Sequence, residues 1–202
     1  MTTVVSDLGG VVVQWDPVPA IAAVVGRERA ERFVHGGDFD FAAWNHEQDA
    51  GRTFAEAEEV ATASHPHFAE EIAAYRPNFA LSLRGLVPGT DDVMREVHER
   101  GTRLVALTNW PAETFHHALE LYPEVFARFD DIVVSGVEGI AKPDPAIFRV
   151  LETRLGHELD GIVYVDDAPA NVEAARAAGL DALRFSSADA LRDELKGRGL
   201  IG

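Results

Sequence analysis

Thr3-Val4-Val5-Ser6-Asp7-Leu8-Gly9-Gly10 decides the fold. A β-branched, apolar run leads into an acidic residue and then a pair of glycines, so a buried strand ends in a tight turn that carries a carboxylate. In open α/β sheets, ligands bind beyond the carboxyl ends of the strands. Asp7 is therefore the first candidate functional residue.

Comparable runs recur at Arg103 to Thr108, Asp131 to Ser135, Gly161 to Val165 and Ala182 to Phe185, and read as buried parallel strands. Helices are expected between them. Thr90 as N-cap, with Val93, Met94 and Val97 inward and Gly101 as the stop, predicts one. Asp144-Pro145 opens a second that Gly156 ends, and Pro169 to Ala178, closed by Gly179, is a third. This alternation, from about residue 90 onward, predicts a doubly wound, Rossmann-like α/β fold with a parallel sheet.

The stretch from Trp15 to Leu86 breaks the alternation. It is rich in Ala, Glu and aromatic residues at helical spacing and shows no convincing strand. The expected organisation is an α/β core of residues 1–14 and 87–202 with a small inserted helical cap of residues 15–86, placed over the sheet end that carries Asp7. Pro17-Val18-Pro19 and Leu86-Val87-Pro88-Gly89 are the expected hinges.

Composition narrows the function classes. The 202 residues are 47% hydrophobic and 26% charged, an ordinary globular balance. No segment approaches the roughly 20 apolar residues of a membrane helix. The N-terminus carries no basic segment ahead of an apolar one, so the expectation is a cytoplasmic protein with no membrane partner. The absence of cysteine excludes thiolate catalysis and Cys-based metal sites. A net charge of −16 argues against nucleic-acid binding, which draws on Lys and Arg. An anionic substrate then needs local positive charge from fixed donors or a bound cation. A monomer or weak homodimer is the base-rate expectation.

Four segments place a polar residue at or just after a strand end. Asp7 suits attack on phosphorus, and Thr108 suits binding of the transferring group through its hydroxyl. Lys142 suits neutralisation of the nucleophile and phosphoryl charge, and Asp166-Asp167 suits a divalent cation. A carboxylate attacking a phosphate monoester meets an anion, so both a lysine and a hard cation are needed. Each residue also has a plainer reading alone: a turn for Asp7, a strand-end cap for Thr108-Asn109, a solvated loop for Lys142, and helix-dipole complementation for Asp166-Asp167. His116-His117 and His65-Pro66-His67 read as surface or packing residues, because neither pair has a third metal ligand nearby. Of the tryptophans, Trp110 is the one expected to border a pocket.

In order and context these segments resemble the haloacid dehalogenase-like superfamily. The resemblance rests on Val4-Val5-Ser6-Asp7-Leu8-Gly9-Gly10-Val11, Leu104-Val105-Ala106-Leu107-Thr108-Asn109, Ala141-Lys142-Pro143-Asp144-Pro145, and Val163-Tyr164-Val165-Asp166-Asp167-Ala168-Pro169-Ala170-Asn171. It implies an aspartyl-phosphate formed on Asp7, with Thr108, Asn109 and Lys142 binding the phosphoryl group. It also implies Mg²⁺ held by the Asp7 carboxylate, the Gly9 carbonyl and Asp167, with Asp166 acting through water and Asn171 orienting the loop. The implied activity is a Mg²⁺-dependent phosphatase for a small phosphorylated metabolite, with a sugar phosphate as one expectation.

Gly9 departs from the superfamily's pattern. Most of its phosphatases carry a second aspartate there, the acid to the leaving group and then the base for water, a contribution of about 10²–10⁴-fold. A sugar-phosphate subgroup also has glycine at this position, so the change does not by itself imply inactivity. A cap residue, or water alone for a good leaving group such as a glycosyl phosphate, is the expected substitute, with His46 in Trp44-Asn45-His46-Glu47 as the cap candidate. Two other readings follow from the same residues. A 2-haloacid dehalogenase uses an aspartate without a metal, but such enzymes resemble Ser-Ser-Asn where this chain has an acidic pair. A catalytically weak relative that binds a phosphorylated ligand or a protein partner has Gly9 as its direct support.

Overall fold

The computed structural model describes residues 2–202. Its strands are β1 (Thr3–Ser6), β2 (Val13–Trp15), β3 (Leu83–Leu86), β4 (Arg103–Thr108), β5 (Asp131–Val134), β6 (Val163–Asp166) and β7 (Asp181–Arg184). Five of them form a parallel sheet in the order β5-β4-β1-β6-β7. The chain runs outward from β1 through β4 to β5, then returns to the other side of β1 for β6 and β7. The direction of winding reverses at β1, so the crevice beyond Ser6 lies between the ends of β4 and β6, where such sheets bind ligands.

The strand sequences explain why the sheet is buried on both faces. Val4, Leu104, Ala106, Val163 and Val165 join one cluster, with Val93, Met94 and Val97 of α6 (Thr90–Glu99) and Leu191 and Leu195 of α12 (Ala188–Gly197). Their neighbours Val5, Val105, Leu107 and Tyr164 join the opposite cluster. There they meet Ile147, Phe148 and Leu151 of α10 (Pro145–Leu155) and Val172 and Ala175 of α11 (Pro169–Ala177). Period-two alternation with both sets apolar is what a parallel strand covered by helices requires.

Between β2 and β3 lie α1 (Val18–Val25), α2 (Arg27–His35), α3 (Phe41–Asp49), α4 (Phe54–Ser64) and α5 (Ala69–Tyr75), followed by a 3-10 segment, Arg76–Ser82. Phe33, Phe39, Phe41, Trp44, Phe54 and Tyr75 are buried together, with Phe33 and Phe39 stacked at 4.6 Å and Phe41 edge-on to Tyr75 at 5.2 Å. The Asp40 side chain caps α3 by accepting from Ala43 N–H, and Thr53 with Glu56 forms a capping box on α4. Glu113, from the loop after β4, accepts a 2.7 Å bond from Phe54 N–H at the same helix start. Arg76 reaches both Glu58 and Glu113, so the helical segment is tied to the loop beside the sheet end.

Three expectations need correction. Leu83–Leu86 is a strand, paired antiparallel with β2, so the two connections between helices and sheet run side by side. Pro17-Val18-Pro19 forms the start of α1, where proline fits because its missing N–H lies at a helix terminus. Thr90 is not the N-cap of α6: Gly89, in the left-handed region at φ 80°, takes that position, and the Thr90 hydroxyl is buried inside the first turn. Asp144 caps α10 and Gly156 ends it as expected, the glycine at φ 79°.

Candidate active site

Asp7 follows β1 directly. Its N–H still donates to Val165 O on β6 at 2.8 Å, which extends the ladder by one residue and fixes the backbone as the side chain leaves the sheet. Asp7 Oδ1 accepts from Leu8 N–H at 2.7 Å and pairs with Lys142 Nζ at 3.0 Å. The Lys142 ammonium also donates to Leu107 O at 2.8 Å and to Asp166 Oδ2 at 2.7 Å, so its three protons each have an acceptor. Asn109 clamps the lysine backbone from both sides, accepting from Lys142 N–H at 2.8 Å and donating to Lys142 O at 2.9 Å. Its side-chain amide is thus occupied in positioning Lys142, although the residue also lines the pocket.

Asp166 ends β6 with no exposure. Its oxygens accept from Lys142, from the Tyr164 hydroxyl, from Ala168 N–H and from Asn171 Nδ2, the last at 3.1 Å to each oxygen. Asn171 therefore orients Asp166. Asp167 points the other way, into the pocket, against Gly10. A Cβ on Gly10 would lie 2.4 Å from Asp167 Oδ2, and φ is 74°, so only glycine allows the turn and the acidic side chain to lie this close. Asp7, Asp166 and Asp167 each offer an oxygen within 4.8 Å of the others.

Burial and charge set the ionisation of the group. Burial, offset in part by Lys142 and reinforced by Asp166, pushes the Asp7 carboxyl up to about 7. Burial and the charge of Asp166 also hold Asp167 above the usual carboxylate range. Burial disfavours the Lys142 charge, but the attraction of Asp7 and Asp166 outweighs it and raises its pKa. Three carboxylates, with Asp7 and Asp166 buried and Asp167 exposed to the pocket, against one ammonium leave surplus negative charge, which a hard divalent cation would compensate. The Thr108 hydroxyl is fully buried at the end of β4 with no hydrogen-bond partner among the described residues, a donor and acceptor left for a ligand.

Above these groups is a cavity of about 290 Å³, lined by Asp7, Gly9, Gly10 and Asp167 below and by Trp15, Tyr75, Phe79, Trp110 and Pro111 around its sides. Trp110 borders it as expected. Gly9 faces open space: an added Cβ would have nothing within 4 Å, and its φ lies outside the left-handed region.

Residues from α3 complete the lining, and the sequence reading chose the wrong one. His46 is exposed and borders a separate depression beside Ala50 and Gly139. Asn45 and Asp49, each 9% exposed, face the cavity instead. The signal was present: Phe41, Trp44, Asn45, Gln48 and Asp49 share the i, i+3, i+4 spacing of one buried face, and His46 and Glu47 fall off it. Arg76 pairs with Glu58 and Glu113, and His117 stacks on Phe79, so neither enters the carboxylate cluster.

Comparison with known proteins agrees with this geometry. A family model for haloacid dehalogenase-like hydrolases matches residues 1–179. The sesquiterpene phosphatase astK of Aspergillus oryzae is 26% identical over 97% of this chain and 94% of its own length. A phosphoglycolate phosphatase of Rhodospirillum rubrum is 32% identical over 62% of this chain, which spans about half (51%) of that relative. In fold, the chain is similar to a haloacid dehalogenase family enzyme of Bacteroides thetaiotaomicron crystallised with magnesium and inorganic phosphate. That match has a TM-score of 0.68 at 16% identity and covers 93% of this chain and 95% of the other. The L-2-haloacid dehalogenase of Xanthobacter autotrophicus gives 0.57 at 16% identity over all of this chain and 85% of its own. With the family model spanning most of its length, this protein belongs to the haloacid dehalogenase-like hydrolases.

Proposed function

We propose that the protein is a Mg²⁺-dependent phosphatase acting on a small phosphate monoester whose alcohol is largely apolar. The observation that carries this reading is the convergence of Asp7, Lys142 and the Asp166-Asp167 pair beneath an aromatic-walled cavity. The donor set fits Mg²⁺, a hard cation of oxygen ligands: Asp7, Asp167 and the Gly9 carbonyl would hold it, and Asp166, whose oxygens are already engaged, would act through water. When bound, the cation supplies charge compensation for the phosphoryl oxygens and for the nucleophile.

The chain's own residues supply the rest. Leu8 N–H and Lys142 hold Asp7 Oδ1 and fix the direction of the carboxylate. Asp7 forms a bond to phosphorus as the bond to the alcohol oxygen breaks. Water then attacks phosphorus, the bond to Asp7 breaks, and inorganic phosphate leaves. Thr108, whose hydroxyl has no partner among the described residues, binds the transferring group, and the charge of Lys142 beside Asp7 attracts it. Residues 15–86 act as the cap that excludes water from the aspartyl-phosphate.

Trp15, Tyr75, Phe79, Trp110 and Pro111 support the apolar refinement. A relative that matches 97% of the chain bears the name of a sesquiterpene phosphatase, which points the same way. A dehalogenase would not need a cation, yet the acidic surplus calls for one.

The test is phosphate release from isoprenoid and arylalkyl monophosphates beside hexose phosphates, with and without Mg²⁺. The expected result is Mg²⁺-dependent release favouring the apolar esters, reduced about 10³-fold or more in Asp7→Asn. Preference for hexose phosphates would overturn the apolar refinement. No release from any ester by the folded protein, or full turnover in Asp7→Asn, would overturn the phosphatase itself.

A further inference from the structure

We infer that Asp49, on the cap helix α3, is the acid and base of the reaction, supplying from the roof of the cavity the carboxyl that Gly9 lacks on its floor. The inference rests on the phosphatase reading and adds a residue to it. Gly9 leaves a space with nothing within 4 Å of a Cβ, and Asp49 lines the same cavity as Gly9 and Asp7. It lies outside the Asp7–Asp166–Asp167 cluster, so it is not spent on the cation. It is 9% exposed, and the side-chain donor bonded to it is Asn45 Nδ2, at 3.3 Å from Oδ2. A carboxyl this dry and this lightly bonded is available to a substrate oxygen.

The backbone holds it there. Gly51, two residues on, has φ 100°, and a Cβ on it would lie 2.9 Å from Gly139 Cα, so the end of α3 rests directly on the sheet domain. Glu113 and Arg76 tie the start of α4 to the same side. Asp49 thus has a fixed position relative to Asp7 although the two residues come from different parts of the chain.

Its surroundings favour the protonated form that an acid needs. Burial comes first, then the charge of Asp7 across the cavity, which together push Asp49 up to about 8 against the opposing effects of Lys142 and Asn45. Asp49 is also the last residue of α3, at the negative end of the helix dipole. The other groups facing it are Asn45 on its own helix, Tyr75 from α5, and Asn109 and Asp167 from the sheet side; none is cationic.

The protons balance. As the bond from phosphorus to the ester oxygen breaks, Asp49 gives its proton to that oxygen and the alcohol leaves. The resulting carboxylate takes a proton from water as the water oxygen attacks phosphorus. The bond to Asp7 then breaks, phosphate forms, and Asp49 is again protonated.

The experiment compares two esters that differ in their need for an acid: 4-nitrophenyl phosphate, whose leaving group departs unprotonated, and phenethyl phosphate, whose alkoxide does not. Wild type turns over both. Asp49→Asn is expected to release about one equivalent of 4-nitrophenolate per site in a burst and then to turn over 10²–10⁴-fold more slowly, and to give neither burst nor turnover with phenethyl phosphate. Circular dichroism and thermal unfolding establish that the variant is folded. Steady-state rates within threefold of wild type on both esters would overturn the inference. Loss of the burst in a folded variant would also overturn it, because Asp49 would then be needed for attack or binding rather than for proton transfer. Failure of the phosphatase reading has a different mark, namely no turnover of either ester by wild type or an undiminished Asp7→Asn.

Discussion

The floor and the roof of the cavity are built on opposite terms. On the floor Lys142 and Asp166 are fully committed: Lys142 gives its three protons to Asp7, Asp166 and Leu107 O, and Asp166 accepts from four residues. On the roof, Asp49 has one long bond and the buried Tyr75 hydroxyl has no hydrogen-bond partner among the described residues. A saturated buried network is rigid, because each member is costly to release. The floor can therefore hold a nucleophile and phosphoryl group in one geometry, while the roof keeps open valences for whatever leaves.

Breaking the floor should have the largest effect on the fold. Lys142→Ala leaves Asp7 and Asp166 buried without their common partner, and a loss of about 3–5 kcal/mol is expected in denaturant unfolding. A loss below about 1 kcal/mol would mean that water or relaxation replaces the ammonium and that the floor is not rigid in the sense described.

The roof should show itself through pH. A carboxyl raised from 3.8 to about 8 on folding contributes stability that is fully present below the unfolded value and is lost as pH rises from about 4 through 8. In chelator-treated protein, Asp49→Asn should remove this dependence. Relative to wild type, the variant is expected to gain on the order of 5 kcal/mol between pH 4 and pH 9, read as diverging unfolding midpoints. Parallel midpoints across that range would place Asp49 in contact with water. Gly51→Ala attacks the support of the same residue. A methyl at φ 100° that meets Gly139 Cα at 2.9 Å should cost about 1–3 kcal/mol and displace the end of α3, and crystallography of the variant would show whether Asp49 leaves the cavity.

The two regions were also unequally legible in the sequence. β1, β4 and β6 end where their apolar runs end, and Asp7, Asn109 and Asp167 follow them directly, so local pattern placed these residues at strand ends. Asn171, in the segment that follows β6, was singled out only through the resemblance to the superfamily. β3 was not: Leu83-Arg84-Gly85-Leu86 is four residues long, contains a glycine at φ 111°, and pairs with a strand far away in the chain. His46 was singled out by residue type alone, and the helix face that it lies off turns Asn45 and Asp49 to the cavity instead. The bonds of Asn109 to Lys142 are long-range and leave no local trace. Thr90 was assigned as a cap by residue type, whereas a left-handed glycine filled the position.

Gly9 is where floor and roof can be exchanged, and the smallest structural effect is expected there. A side chain at Gly9 needs no unusual φ and meets no atom within 4 Å of its Cβ, so Gly9→Asp meets no steric obstacle and should keep the fold, read by circular dichroism. Its consequence should instead appear in combination. If proton transfer is the only duty that moved from floor to roof, Gly9→Asp placed in the Asp49→Asn background restores turnover of phenethyl phosphate, because the carboxyl returns beside Asp7. If the double variant stays inactive while it folds and binds Mg²⁺ as wild type does, a carboxyl on the floor cannot stand in for the one on the roof. The burial and the end of the α3 dipole that hold Asp49 protonated would then be part of what the acid requires, and the open floor at Gly9 would be needed for the leaving group itself.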